Sequence, residues 1–307
     1  MAKEFKTIAE LISLLESRGV ITDCETFSAI NRESYYAIIN GYKSPFLDRD
    51  SMMSNSEDVY KEGTEFRWIY DLFLFDRDLR AITFKYLMKV EAAMKSAVVY
   101  SFCHNHQKHK DYLDISYFCS SNDYLVPRHY KRNKRVDHSQ NLSRLMALLN
   151  KKTVKNKHSR PFTKHYIEKY GFVPLWVLSN ELTFGNIVNF YQLMKPKDRE
   201  EVCRILAKEA NREESKTNFL SQRKLLRYAK ALVGFRNICA HDERLYCAKI
   251  NNDGFNVIAD GILNILGLEA LNCFLDEVSD LFGKYKGRLK VVSLSSLLKD
   301  MGFNARG

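Results

Sequence analysis

The sequence predicts an all-α fold, and three observations carry that expectation. Apolar residues between Glu62 and Phe102 recur at steps of three and four, the spacing of one helix face. Only 5 prolines and 13 glycines interrupt 307 residues, which leaves room for long helices. No alternating apolar and polar series reads as strands, and no repeat of about 20 to 50 residues is visible.

Taken in order, Ile8, Leu11, Ile12, Leu14 and Leu15 predict an amphipathic first helix that stops near Gly19. A second helix is expected from about Thr26 to Ile39, stopped by Asn40-Gly41 and Pro45. Leu47 to Asp58 is polar and reads as a connector. Glu62 to Phe102 supplies one or two core helices on the stripe Trp68, Leu72, Phe75, Leu79, Ile82, Tyr86, Met88 or Lys89, Ala93 and Ala97. Asp76 with Arg80, and Glu91 with Lys95, have i, i+4 spacing and read as outer-surface pairs, each worth roughly 0.3 to 0.5 kcal/mol. From His104 to about His158 periodicity weakens except for a helix at Ser139–Asn150, as in a partly mobile insertion. Pro174 opens a helix through Leu182, Phe184-Gly185 breaks or bends it, and Pro196 starts the next, Lys197 to Ala210. Val257-Ile258 reads as a short extended piece, and Ile262 to Tyr285 as one more helix. The domains expected are an N-terminal helical segment (1–57), a helical bundle (58–290) with a basic insertion at about 104–165, and a tail (291–307).

With 45% apolar residues, the chain can bury the core of one or two domains. The 7 cysteines form no C-x-x-C pair, as expected of reduced thiols in a cytosol. No signal peptide or uncharged membrane-spanning run is seen, so a cytoplasmic protein without a membrane partner is expected. The net charge of +11 comes from one stretch: residues 128–169 hold thirteen Lys or Arg against Asp137 and Glu168, and the remaining charges cancel. Arg128, Lys131, Arg132, Lys134, Arg135, Lys151, Lys152, Lys155 and Lys157 are therefore candidate anion contacts. Tyr124, His129, Tyr130 and His158 lie among them, and rings mixed with cations favour RNA. Cys103, His104, His106 and His109 crowd one helix end without a second ligand pair, so they read as solvated side chains, with no metal or cofactor expected. Gly-rich phosphate loops, H-E-x-x-H and G-x-S-x-G are absent. Tyr35, Tyr36 and Tyr42, beside Ile38, Ile39 and Phe46, read as core or interface, and Trp176 as core.

The chemistry-bearing stretch is Arg236-Asn237-Ile238-Cys239-Ala240-His241-Asp242-Glu243-Arg244-Leu245-Tyr246. It follows a run whose Phe219, Leu225, Leu226, Leu232, Val233 and Phe235 have helical spacing, so Arg236 and His241 lie on or at the end of a partly buried helix. Arg160 to His165 and Arg132 to His138 also match a loose R-x4-6-H pattern. Both lie in the strongly basic, weakly periodic region, and Pro161 next to the first arginine blocks an interior helix hydrogen bond. In a purely structural reading of the motif, Arg236 and His241 cap carbonyls while Asp242 and Glu243 pair with Arg244 or Arg236.

The stretch resembles the signature of the Abi-like abortive-infection proteins (the AbiD/AbiF type), a bacterial branch of the HEPN superfamily. Three other segments agree in order: Glu33 to Phe46 with its Tyr35-Tyr36, Gly41-Tyr42 and Pro45-Phe46; Leu74 to Arg80 with Val90 to Lys95, where Lys95 stands for a common arginine; and Pro174-Leu175-Trp176 through Glu181 to Phe184-Gly185. The resemblance implies an up-and-down bundle of four or five helices in which two copies face their R-x4-6-H motifs. One credible motif per chain then makes a homodimer the economical assembly.

The activity implied is metal-independent endoribonuclease action in an anti-phage, toxin-like system. In such cleavage the 2′-hydroxyl loses a proton as it attacks phosphorus, and the leaving 5′-oxygen gains one. A histidine with an ordinary pKa of about 6.5 serves either transfer, and a planar guanidinium holds the charge gathered on phosphorus. His241 is thus expected as general acid/base, Arg236 as phosphate stabiliser and Asn237 as an orienting group. Glu91, from a neighbouring helix, and Lys95 support them. The rival expectation is a non-catalytic RNA-binding protein complexed with a structured small RNA, and a third is a helical dimer that docks another defence protein.

Overall fold

A computed structural model describes residues 4–48, 58–126, 133–154, 160–211, 220–290 and 294–302. Among the described residues the regular structure is helical, and strand pairing is limited to isolated bridges such as Ile21 with Glu65. No described helix is long and apolar enough to cross a membrane. The chain divides into two compact units, one of residues 1–83, 238–255 and 275–307, the other of 84–237 and 256–274.

In the first unit, α1 (Ile8–Ser17) starts at a reciprocal cap: Thr7 Oγ1 accepts from Glu10 N, and Glu10 Oε2 accepts from Thr7 N at 2.7 Å. Gly19, at φ +90°, ends the expected first helix. Asp23 caps α2 (Cys24–Glu33) by accepting from Glu25 N and Thr26 N, each at 3.0 Å. The second helix was expected to reach Ile39, but it stops at Ser34, whose φ is +67°. Ser34 Oγ instead accepts from Ala37 N at 3.3 Å and starts a separate π-helical turn, Tyr36–Asn40. The long periodic segment is a single helix, α3 (Phe66–Asn105), of 40 residues. Its first part buries Ile69, Leu72, Phe73, Phe75 and Leu79 in this unit. Phe75 meets the edge of Tyr285 at a centroid distance of 5.6 Å.

The second unit takes α3 from Phe84 onward, with Val90, Met94, Val98 and Phe102 buried; Met88 and Lys89, offered for that stripe, face solvent. It adds α4 (Lys134–Thr153), α5 (Pro161–Tyr170), α6 (Leu175–Leu178), α7 (Phe184–Leu193), α8 (Pro196–Glu209), most of α9 (Gln222–Ala240) and α10 (Asn256–Leu266). Pro161 and Pro196 occupy first helical positions, where a missing N–H costs nothing. Phe184 begins α7 rather than breaking a helix, because Thr183 Oγ1 accepts from Asn186 N at 3.2 Å. Val257 and Ile258, expected extended, are buried helical residues of α10. The apolar run after them is also two helices, α10 and α11 (Leu268–Tyr285), parted by Gly267 at φ +94°.

The described part of the expected insertion is packed against this unit. Tyr112 is buried and its hydroxyl donates to Val173 O at 2.5 Å, while Cys119 N donates to Leu193 O at 2.8 Å. Leu145 and Leu149 bury one face of α4 against α7.

Candidate functional site

Helix α9 buries Leu225, Ala229, Leu232 and Phe235, and that periodicity decides what its last turn offers. Arg236 is left half-buried and Asn237 exposed. The helix ends at Ala240, so His241 is the first residue beyond it, and it is exposed. Asp242 then takes φ +59° and Glu243 N donates back to Ile238 O at 3.1 Å, a left-handed C-terminal stop. Arg236 and Asn237 belong to the second unit and His241 to the first.

In the second unit, the structure brings Arg236, Asn237, Glu91 and Lys95 together. Arg236 Nε lies 3.3 Å from Glu91 Oε2. Both atoms are buried and make no hydrogen bond, so distance and angle disagree. We read the contact as charge pairing with poor alignment, since Coulomb attraction needs no N–H direction. Lys95 Nζ stands 4.0 Å from Glu91 Oε1, so one carboxylate separates two cations. The Arg236 guanidinium lies over the Phe84 ring at 5.9 Å, and its Nη1 donates to Asn237 Oδ1 at 3.5 Å. Glu91 is 6% exposed, so the expected surface pair with Lys95 is instead the buried floor of this cluster. Surface spacing misled because the burying partner, α9, lies far away in sequence.

A cleft of about 740 Å³ opens beside the cluster, lined in part by Glu91, Lys95, Tyr100, His104, Trp176 and Asn180. Trp176, expected in the core, is 54% exposed. The four-residue α6 buries Leu175, Val177 and Leu178, so a single turn has only this side chain left to point outward. Glu181 pins the wall behind it by accepting from Thr163 Oγ1 and Arg160 N and by pairing with Lys152 at 3.6 Å.

In the first unit, the tail of the motif is clamped by a buried network. Asp76 and Arg80, expected on the outside, are 0% and 3% exposed. Asp76 Oδ2 accepts from Leu245 N (3.0 Å), the Tyr42 hydroxyl (2.7 Å) and Arg80 Nη1 (2.8 Å), and Oδ1 accepts from Tyr246 N (2.8 Å). Arg80 also donates to Tyr42 Oη (2.9 Å) and Glu243 O (3.3 Å) and pairs with Asp242. Asp242 thus pairs with Arg80, whereas the sequence offered Arg244 or Arg236. Burial lifts the Asp76 carboxyl above its ordinary range, opposed by the Leu245 N–H, Tyr42 and Arg80. For Arg80, burial works against charge, yet Tyr42, Asp76 and Asp242 outweigh it and raise the pKa. Cys239 is pushed up to about 12, by burial first and by Asp76 second.

Other expected residues disperse. Arg128, Lys131, Arg132, Lys155 and Lys157 lie outside the described residues, as do His129, Tyr130 and His158. Lys134 and Arg135 begin α4 while Lys151 and Lys152 end it, about 25 Å away at 1.5 Å per residue. Arg135 and Lys151 are exposed, whereas Lys134 donates to Asn122 O (2.5 Å) and Lys152 reaches Glu181. Tyr124 is buried, accepts from Asn141 Nδ2 at 2.5 Å and packs on His138, so it offers no stacking surface. His106, read as solvated, is mostly buried and lies 2.9 Å from Asp198. Among the described residues, no three His, Cys, Asp or Glu side chains gather as metal ligands.

A family model described as Abi-like protein matches residues 28–247. No curated protein and no solved structure matches the chain.

Proposed function

Because the chain belongs to the Abi-like protein family, we propose that it is a HEPN-type, metal-independent endoribonuclease of bacterial abortive infection, active as a homodimer with facing motifs. The observation that carries this reading is the tether on Arg236: Glu91 and Phe84 fix the guanidinium on the last turn of α9, where Asn237 is exposed and His241 follows. A cation meant only to solubilise the surface needs no buried carboxylate partner. A cation meant to meet a phosphorane gains from being held in place before the charge develops.

In this reaction His241 takes the 2′-hydroxyl proton, or returns one to the leaving 5′-oxygen, with the partner's motif supplying the complementary group. Arg236 holds the phosphorus oxygens, and Asn237 orients the ribose-phosphate. The products are a 2′,3′-cyclic phosphate and a 5′-hydroxyl.

The test is RNA cleavage by the purified full chain in EDTA, with the ends identified by mass spectrometry. Wild type yields cyclic phosphate ends, and His241→Ala slows cleavage by about a hundredfold to ten-thousandfold, the usual span for a lost general acid/base. Arg236→Ala slows it by about a hundredfold or more. RNA that stays intact with wild type, or a His241→Ala variant that cuts as fast, overturns the proposal. Intact RNA co-purifying with both proteins identifies a non-catalytic RNA binder.

A further inference from the structure

The cleft beside Arg236 has the surface chemistry of a base-binding site. Trp176 is 54% and Tyr100 59% exposed, a large share of ring to leave in water. The His104 ring already lies near-parallel to and offset from Tyr100, with centroids 5.6 Å apart and planes 18° from parallel. Lys95 brings a cation to the same wall, and the exposed Asn180, tethered through Nδ2 to Val177 O at 3.2 Å, brings an amide. Glu91 belongs to both places: it lines the cleft and contacts Arg236, and its Oε2 is buried without a hydrogen bond. A volume of about 740 Å³ falls in the range of small-ligand clefts, roughly 300 to 1,000 Å³.

From these features we propose that the cleft holds an unpaired base of single-stranded RNA, stacked on Trp176, with its neighbouring phosphate drawn to Lys95 at the edge of the Arg236 cluster. The choice of RNA rests on the ribonuclease reading above; the base-stacking geometry does not. Rings interleaved with a cation and an amide suit a base, and Met88, Ala92 and Val99 of the same lining add apolar contact for its face. A duplex keeps its base faces covered, so the cleft selects single strands or loops.

The experiment uses the full chain with Trp68→Phe, which leaves Trp176 as the one tryptophan of the 2 in the sequence. The probe is a 2′-O-methyl oligoadenylate of about eight nucleotides, within the usual single-strand site size and lacking the 2′-hydroxyl needed for cleavage. Saturable quenching of Trp176 emission is expected. In the chain that retains Trp68, fluorescence anisotropy of a labelled probe should show Trp176→Ala weakening binding by about five- to a hundredfold. Trp176→Tyr should stay within about threefold, and Lys95→Gln should flatten the salt dependence by a slope of about 0.7. Because α6 already turns Trp176 outward, the variants should keep the wild-type melting temperature. Should Trp176→Ala melt early, Trp176→Tyr and Lys95→Gln still decide the matter.

Absent quenching, unchanged affinity in Trp176→Ala, or equal binding of a duplex overturns the proposal. A Trp176 emission shift that depends on protein concentration without RNA also overturns it, because a second copy then covers the cleft. The two readings fail separately. Wild type that binds and quenches yet never cuts cleavable RNA ends the nuclease reading alone, and cutting indifferent to Trp176→Ala ends this one alone.

Discussion

Asp76→Ala is the substitution whose cost most sharply separates spacing from structure. As half of an exposed i, i+4 pair, Asp76 would be worth roughly 0.3 to 0.5 kcal/mol. In the folded first unit it is 0% exposed and accepts from Leu245 N, Tyr246 N, the Tyr42 hydroxyl and Arg80 Nη1, all within 3.0 Å. Alanine leaves two backbone N–H groups without their acceptor, at about 1 to 3 kcal/mol each, and removes the buried partner of Arg80. Breaking a buried ion pair from one side typically costs about 3 to 5 kcal/mol, and these terms overlap. Arg80 keeps Asp242, but that carboxylate is 67% exposed and compensates little. We therefore expect a loss of about 3 to 5 kcal/mol, a large part of the roughly 5 to 15 kcal/mol that holds a typical domain. Urea unfolding followed by circular dichroism measures it. Arg77→Ala is the control, since its pair with Glu33 involves a side chain 44% exposed and should cost less than about 0.5 kcal/mol. Joint replacement, Asp76→Leu with Arg80→Met, should be milder than Asp76→Ala because no buried charge is stranded. A loss under about 1 kcal/mol in Asp76→Ala, or a double variant worse than the single one, would refute the buried-network argument.

Two further outcomes follow from local geometry. Gly267 has φ +94°, and a Cβ there would lie 2.9 Å from Ala210 O; Gly171 has φ +73° with nothing within 4 Å. Gly171→Ala should therefore cost only the left-handed penalty of about 1 to 2 kcal/mol, and Gly267→Ala about 1 to 3 kcal/mol more in urea unfolding; equal losses would show that the Ala210 contact yields freely. A Cys239 thiol held at about 12 keeps its proton in the native state after the unfolded chain, near 9.0, has lost it. The native state then binds more protons than the unfolded one, so stability falls as pH rises from about 9 toward about 12, by about 1.4 kcal/mol per pH unit for one group. Cys239→Ala should flatten the alkaline limb by that one-proton slope between about pH 9.5 and pH 11, and an unchanged slope would contradict it.

Elements were legible where one signal acted over many residues. The stripe of α3 shows because most of its turns repeat it, and Pro196 announces a helix start through a missing donor; Pro161, read from the sequence only as blocking a helix interior, starts a helix as well. Breaks that rest on one residue were not. Ser34 has a weak preference against the helix, and its positive φ is settled by the cap it gives to Ala37. Gly267 lies between two apolar runs that continue one another, and its stop depends on close backbone from Ala210, more than fifty residues earlier. Asp76 had a readable signal: Leu72, Asp76, Leu79 and Thr83 step by fours and threes, so the carboxylate lies on the buried stripe itself. An acidic residue on such a stripe requires donors from elsewhere, and Tyr42 with Leu245 and Tyr246 supplies them.

The same logic explains why the candidate site was partly readable. The resemblance to the Abi-like signature named Arg236 and His241, and in the proposed reaction they hold phosphate and move protons. What spacing does not contain is the set of anchors. Arg236 is fixed by Glu91 in the second unit, while the segment following His241 is fixed by Asp76 and Arg80 in the first. Each anchor is an acid or base on α3 that its i, i+4 pairing alone assigns to the surface. The motif is therefore short in sequence and long in its requirements: six residues carry the groups, and two distant carboxylates, both buried, hold the chain on either side of them. Trp176 lies in a segment that carries the resemblance, but spacing read it as core. Its exposure follows from a four-residue turn that can bury three side chains, and it lines the cleft that Glu91 borders.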